Sequence, residues 1–157
     1  MDSIILYHGS KEIVEYPEIR TARFHKDFYF GFYCTLLQEQ ARRWATRFDG
    51  KGFISEYRYT PNDSLKALLF PEMTEEWLDF IVSCRMGNPH DYDIVEGPMA
   101  NDTIFNYVQD FVDNRISRTA FWELARFKKP THQISFHSAR ALAALEFLKG
   151  YEVIDEE

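Results

Sequence analysis

Apolar and polar positions divide the chain into short runs with distinct periods. Ile4-Ile5-Leu6-Tyr7 is a compact apolar run halted by His8-Gly9-Ser10, which predicts a strand entering a turn. Lys11 to Lys26 mixes charge with aromatics around a single proline and predicts an irregular, exposed passage. Phe28 to Cys34 is strongly aromatic with Gly31 inside, the pattern of a strand or tight turn. Leu37, Ala41, Trp44, Ala45 and Phe48 then recur at helical spacing until Gly50. Thr35 and Gln38 form a capping box, so the helix is expected to open at Thr35.

Phe53, Ser55, Tyr57 and Tyr59 alternate with Ile54, Glu56 and Arg58, which predicts a strand, and Leu65 to Phe70 predicts a second short one. Thr74 caps a helix that carries Trp77, Phe80, Ile81 and Cys84 on one face. Tyr92 to Val95 reads as a strand closed by Gly97-Pro98. Asn101 or Asp102 caps the next helix, with Ile104, Phe105, Val108, Phe111 and Val112 inward. Ser117 starts another, carrying Ala120, Phe121, Leu124 and Ala125. Gln133 to His137 predicts a strand, and Ser138 opens a last helix with Ala141, Leu142 and Leu145. The tail from Asp155 to Glu157 is expected to fray. Strands and helices mix without a regular β-α-β rhythm, so the expected class is α+β. No repeat or linker interrupts the chain, which predicts one domain over residues 1–157.

Composition changes the picture in three places. At 45% hydrophobic, the 157 residues can bury a core without disulfide staples. With 25 acidic against 18 basic residues and a net charge of −7, general nucleic-acid binding is not expected. Aromatics reach 17%, which serves core packing and also supplies platforms for flat ligands. No run approaches the ~20 apolar residues of a membrane span, and Met1-Asp2-Ser3 lacks the basic start of a signal peptide. Cys34 and Cys84 sit in apolar segments and read as buried thiols of a cytoplasmic protein.

Candidate chemistry narrows by elimination. His8, His25, His90, His132 and His137 include no His-x-x-x-His pair and no Cys/His cluster, so no metal site is expected. Walker and dinucleotide-fold glycine loops are absent, and neither cysteine has the surroundings of a protease nucleophile. Three segments remain: Tyr7-His8-Gly9-Ser10, Gly31-Phe32-Tyr33 with its following helix, and Gln133-Ile134-Ser135-Phe136-His137. Each suits a turn, a core strand or a bland strand start.

In this order and spacing, however, they resemble the ADP-ribosyltransferase superfamily, in its diphtheria-toxin and poly(ADP-ribose)-polymerase-like branch. That branch has His-Gly-Ser/Thr ending its first strand, Gly-x-Tyr before a helix bearing a second aromatic, and an acidic residue starting a late strand. Most of the chain also resembles the bacterial family called domain of unknown function 3990. The shared elements are Tyr-His-Gly-Ser, Asp-Phe-x-x-Gly-Phe-Tyr, Tyr-Asp-Ile-Val-x-Gly-Pro (Tyr92 to Pro98) and Gln-Ile-x-Phe-His.

The resemblance implies two small sheets forming an NAD cleft with flanking helices. It implies a catalytic set of His8, Tyr33 and Gln133, with Gly9, Ser10, Arg23, Thr35 and Trp44 binding the co-substrate. His8 would bond a ribose hydroxyl, the Gly9 backbone would hold the carboxamide, and Tyr33 and Trp44 would stack on the nicotinamide. Arg20, Arg23 and Lys26 would meet the pyrophosphate, or else form an exposed charged loop. Asp27 would position that loop or an acceptor. Gln133 stands where the superfamily has a glutamate, and an amide can bond the ribose but cannot act as a base.

Three outcomes follow for the activity: transfer to an acceptor that needs no base, slow NAD hydrolysis as a glycohydrolase, or binding without turnover. The leading expectation is NAD-dependent mono-ADP-ribosyl transfer to a protein or nucleic-acid acceptor, met by the Lys128-Lys129-Pro130-Thr131 turn. Analogy alone adds a bacterial toxin role with an antitoxin partner. The alternative is a non-catalytic module binding NAD or ADP-ribose. A third reading treats the aromatics as core and interface of a structural interaction domain.

Overall fold

In chain order the elements are β1 (Ile4–Ser10), β2 (Phe32–Cys34), α1 (Gln38–Thr46), β3 (Lys51–Tyr59), β4 (Ala67–Leu69) and α2 (Glu75–Arg85). They continue with β5 (Ile94–Gly97), α3 (Asp102–Val112), α4 (Arg118–Ala125), β6 (Gln133–Phe136), α5 (Ala139–Leu142) and β7 (Leu145–Ile154). These come from a computed structural model that describes residues 2–19, 27–98, 102–125 and 131–155, with side chains of the third stretch from 106 onward. The expectations on Arg20, Arg23, His25, Lys26, Asn101 and Lys128 to Pro130, and on the side chains of Ile104 and Phe105, lie outside the described residues.

Two small sheets carry the fold, with five helices among the described residues, so the class is α+β. One sheet has the order β1-β3-β7, the other β2-β6-β5-β4. Every pairing is antiparallel except β4 with β5, which α2 connects as a single β-α-β crossover. A bridge between Tyr7 and Thr35, two backbone hydrogen bonds of 2.9 Å, ties β1 to β2 and so joins the sheets at one edge.

Between the sheets lies a core of Leu6, Phe32, Cys34, Tyr57, Ile134 and Phe136. The far face of the second sheet is covered by helices that bury Trp77, Leu78, Ile81, Val108 and Phe121 around Val95. α1 lies on the first sheet through Ala41 and Ala45, both fully buried. The helical spacing read from Ala41 and Ala45 is therefore a packing stripe, whereas Leu37 and Phe48 at its ends are exposed.

Three expectations need correction. Thr35 does not cap α1. Its backbone N–H and C=O are both committed to Tyr7, and its Oγ1 accepts from Leu37 N at 3.1 Å. The helix starts three residues later, with Leu37 as an N-cap that makes no side-chain bond. The last helix stops at Leu142, capped by Ser138, whose hydroxyl accepts from Ala141 N. Leu145 instead opens β7, because β3 offers an open edge and Leu145 and Phe147 fall opposite Tyr59 and Tyr57. The strand predicted over Tyr92 to Val95 begins two residues later, since Asp93 N bonds Lys66 O and its carboxylate is held by Ser138 and Arg140. That pairing holds the Asp93 carboxyl far below the usual carboxylate range, with the Arg140 hydrogen bond as the first cause.

Candidate functional site

Strand pleat decides which candidate residues can meet. Side chains alternate faces along a strand, and directly opposed residues share a face. Tyr33 opposes Ser135, and Gln133 lies two residues before Ser135, so Tyr33, Ser135 and Gln133 stand on one face. Thr35 belongs to the same face, and its bridge partner Tyr7 carries Gly9 onto it. His8 then falls on the opposite face. Its ring stacks on Phe32 with centroids 4.3 Å apart, and its Nδ1 donates to the Tyr33 carbonyl at 2.6 Å. A carbonyl only accepts, so the proton sits on Nδ1.

α1 covers the Gly9 end of this face, and a Cβ on Gly9 would lie 2.0 Å from Ala41 O. Trp44, half-buried, lies on the same helix. Ser10, also half-buried, uses its hydroxyl locally, donating to Glu12 O at 2.5 Å. Gly9, Tyr33, Thr35 and Gln133 thus share a face, and His8 touches it through the Tyr33 backbone.

Tyr33 is bound into its surroundings. Its hydroxyl donates to Tyr29 O at 2.5 Å and accepts from Phe28 N at 3.0 Å, and its ring meets His137 edge-on at 6.3 Å. Burial first, then the charge of Asp27, pushes the phenol well above its ordinary value. The turn that these bonds hold includes Tyr29 at φ 75°, a conformation non-glycine residues adopt sparingly. Two histidines pin it further. His90 Nε2 donates to Phe28 O at 2.9 Å, and His137 Nδ1 donates to Phe30 O at 2.7 Å.

Burial holds His137 down from its ordinary 6.5 to about 4, with the nearby His90 acting in the same direction. Its neutral form is thus the one the fold keeps. The contribution is complete above pH 6.5 and declines as the unfolded chain takes up a proton, until the folded ring titrates near 4. The loss across that window is about 3 kcal/mol. Melting temperatures followed from pH 7 to pH 4 are expected to fall less steeply for His137→Gln than for wild type. Parallel curves would contradict this.

Gln133 is 3% exposed. Its Nε2 lies 3.4 Å from Asp27 Oδ2 and 3.5 Å from Pro98 O, both long contacts. Asp27 in turn accepts from Arg85 Nη2 at 2.5 Å and Nε at 3.0 Å, and the two side chains are only 9% and 5% exposed. A second network underlies the start of β6. His132 Nδ1 accepts from Leu36 N at 3.1 Å, so Nε2 carries the proton that reaches Glu96 at 2.8 Å. Gln40, buried on α1, clasps the His132 backbone with both ends of its amide.

Sequence reasoning missed Arg85, Gln40 and the Glu96–His132 pair. Gln40 left one signal, a polar residue beside Ala41 on a helix face that is otherwise packed. Arg85 left none, being 58 residues from its partner. Among the described residues no group of three or more His, Cys, Asp or Glu is arranged to hold a metal. Among them, too, no helix is long and apolar enough to cross a membrane.

A family model described as "Protein of unknown function (DUF3990)" matches residues 4–147. No curated protein matches the chain.

Proposed function

The chain belongs to the DUF3990 family, whose description assigns no activity, and we propose that it is an NAD-dependent mono-ADP-ribosyltransferase. One observation carries the reading. The three segments that resemble the superfamily motifs lie on β1, β2 and β6, and these strands are hydrogen-bonded neighbours around Tyr33 and Gln133.

In this reading the Gly9 backbone holds the nicotinamide carboxamide, His8 bonds a ribose hydroxyl across the strand from it, and Trp44 on α1 supplies a stacking ring. The Gln133 amide oxygen accepts a hydrogen bond from a ribose hydroxyl. Nicotinamide leaves C1′ with its bonding electron pair, and the positive sugar is then captured by the acceptor, whose displaced proton passes to solvent water. A neutral amide stabilises that sugar less than a carboxylate would, by about 3–4 kcal/mol. Turnover is therefore slow, and the acceptor must be nucleophilic without help from a base at residue 133. The acceptor class is a protein or a nucleic acid in a bacterial cytoplasm.

A second reading has its own observation. Gln133 carries no charge and is held by Asp27, which suits a module that binds NAD or ADP-ribose without reacting. Nicotinamide release from NAD at high protein concentration separates the two. Transfer predicts release by wild type and its loss in Gln133→Ala and Trp44→Ala variants that remain folded. Binding without release selects the module, and neither binding nor release contradicts both.

A further inference from the structure

The Gln133 amide has two chemically different ends, and its surroundings choose between them. The groups beside its inner end are the Asp27 carboxylate and the Pro98 carbonyl, and both only accept. An amide oxygen turned that way would face two oxygens and donate nothing. The nitrogen must therefore point inward and the oxygen outward.

Asp27 cannot swing aside to relax this, because Arg85 grips one of its oxygens from two nitrogens at 2.5 and 3.0 Å in a nearly closed setting. The Cys84 thiol, also from α2, and the Tyr33 phenol from β2 are among the groups that face Asp27. Neither thiol nor phenol, each pushed upward by burial, supplies a second positive charge.

We propose that Asp27, clamped by Arg85, is a positioning residue that locks the Gln133 amide with its oxygen toward the ligand, so that the site accepts a hydroxyl donor and selects glutamine over glutamate at 133. The lock is a property of the chain alone. Only the identity of the donor, a ribose hydroxyl of NAD, rests on the reading given above. Glutamine here is then required by its neighbours, since a carboxylate would set a second negative charge against Asp27 and the Pro98 carbonyl.

Melting of Gln133→Glu at pH 8 and pH 5, in the native and Asp27→Asn backgrounds, tests the lock without any ligand. At pH 8 the variant is expected to melt below wild type. At pH 5, where a protonated carboxyl can donate again, most of the difference should disappear after subtracting the wild-type change. In the Asp27→Asn background the pH 8 penalty should shrink by at least half. Equal melting of Gln133→Glu and wild type at pH 8 overturns the proposal, as does a penalty that Asp27→Asn leaves unchanged.

Should Asp27→Asn not fold, Gln133→Met, which removes the donor without adding charge, serves instead. It should melt above Gln133→Glu at pH 8, and the reverse order overturns the lock. NAD titrated into wild type and Gln133→Met reads the donor claim, with at least a tenfold loss of affinity expected. A wild type that binds no NAD sinks the NAD reading and leaves the melting results to decide the lock.

Discussion

Replacing Gly52 by alanine is expected to abolish the folded state or to remove most of its stability. A Cβ at that position would sit 2.1 Å from Ala45 O and 2.9 Å from Ser10 O, both backbone atoms. No side chain stands between β3 and α1 at this point to absorb the strain. Gly9 is in the same situation on β1, with Ala41 O at 2.0 Å. The helix faces both glycines with alanines, so the two backbones touch. An added methyl must push α1 away by more than an ångström, against the two hydrogen bonds by which Gln40 of the same helix holds His132.

Ordinary overpacking costs about 1–3 kcal/mol through side chains that can move. Here the obstacle is main chain, and the cost should exceed about 3 kcal/mol, a large share of typical domain stability. Urea denaturation of Gly52→Ala measures it, and a midpoint close to wild type would contradict the packing described.

The second large effect is expected at Arg85. Changing it to methionine keeps much of the side-chain volume but strands Asp27 in a setting only 9% exposed. Removing one partner of a buried ion pair commonly costs about 3–5 kcal/mol, because the remaining charge keeps its desolvation penalty. Removing the charge as well, with Asp27→Asn added to Arg85→Met, should recover part of that loss. Denaturant midpoints of the single and double variants give both numbers. A double variant less stable than the single one would mean that the charge of Asp27 is not what destabilises the protein. The same pair anchors the Phe28 to Gly31 turn to α2, so the single variant should also weaken whatever depends on Gln133.

Much of the fold was legible where a local rule governed. Thr74 and Ser117 do accept hydrogen bonds at their helix starts, from Trp77 N and Ala120 N, as their positions before apolar stripes predict. The alternation of Phe53 to Tyr59 does mark β3, and Tyr57 and Tyr59 are buried. Errors arose where pairing overrode a local pattern. Thr35 has the composition of a cap, but its backbone was taken by Tyr7 from a distant strand. Leu145 fits the helical spacing of Ala141 and Leu142, yet it also begins the alternation Leu145, Phe147, and the free edge of β3 decided between them.

The candidate site was legible in outline and not in wiring. His8, Tyr33 and Gln133 could be named from their segments, whereas their faces follow from register, which a one-residue slip would invert. Asp27 could be named but not its bond to Arg85, because partners 58 residues apart leave no spacing to read. The Glu96–His132 pair was invisible for the same reason, and Gln40 left only its polarity on a packed helix face.

The central claim is that NAD binds on the face holding Tyr33 and Gln133. Calorimetric titration of NAD into the wild-type protein and into folded Gln133→Ala tests it most directly. The account predicts saturable binding of one NAD per chain, weakened about tenfold or more in the variant, as loss of an oriented hydrogen bond implies. No binding by wild type, or equal binding by both proteins, would contradict it.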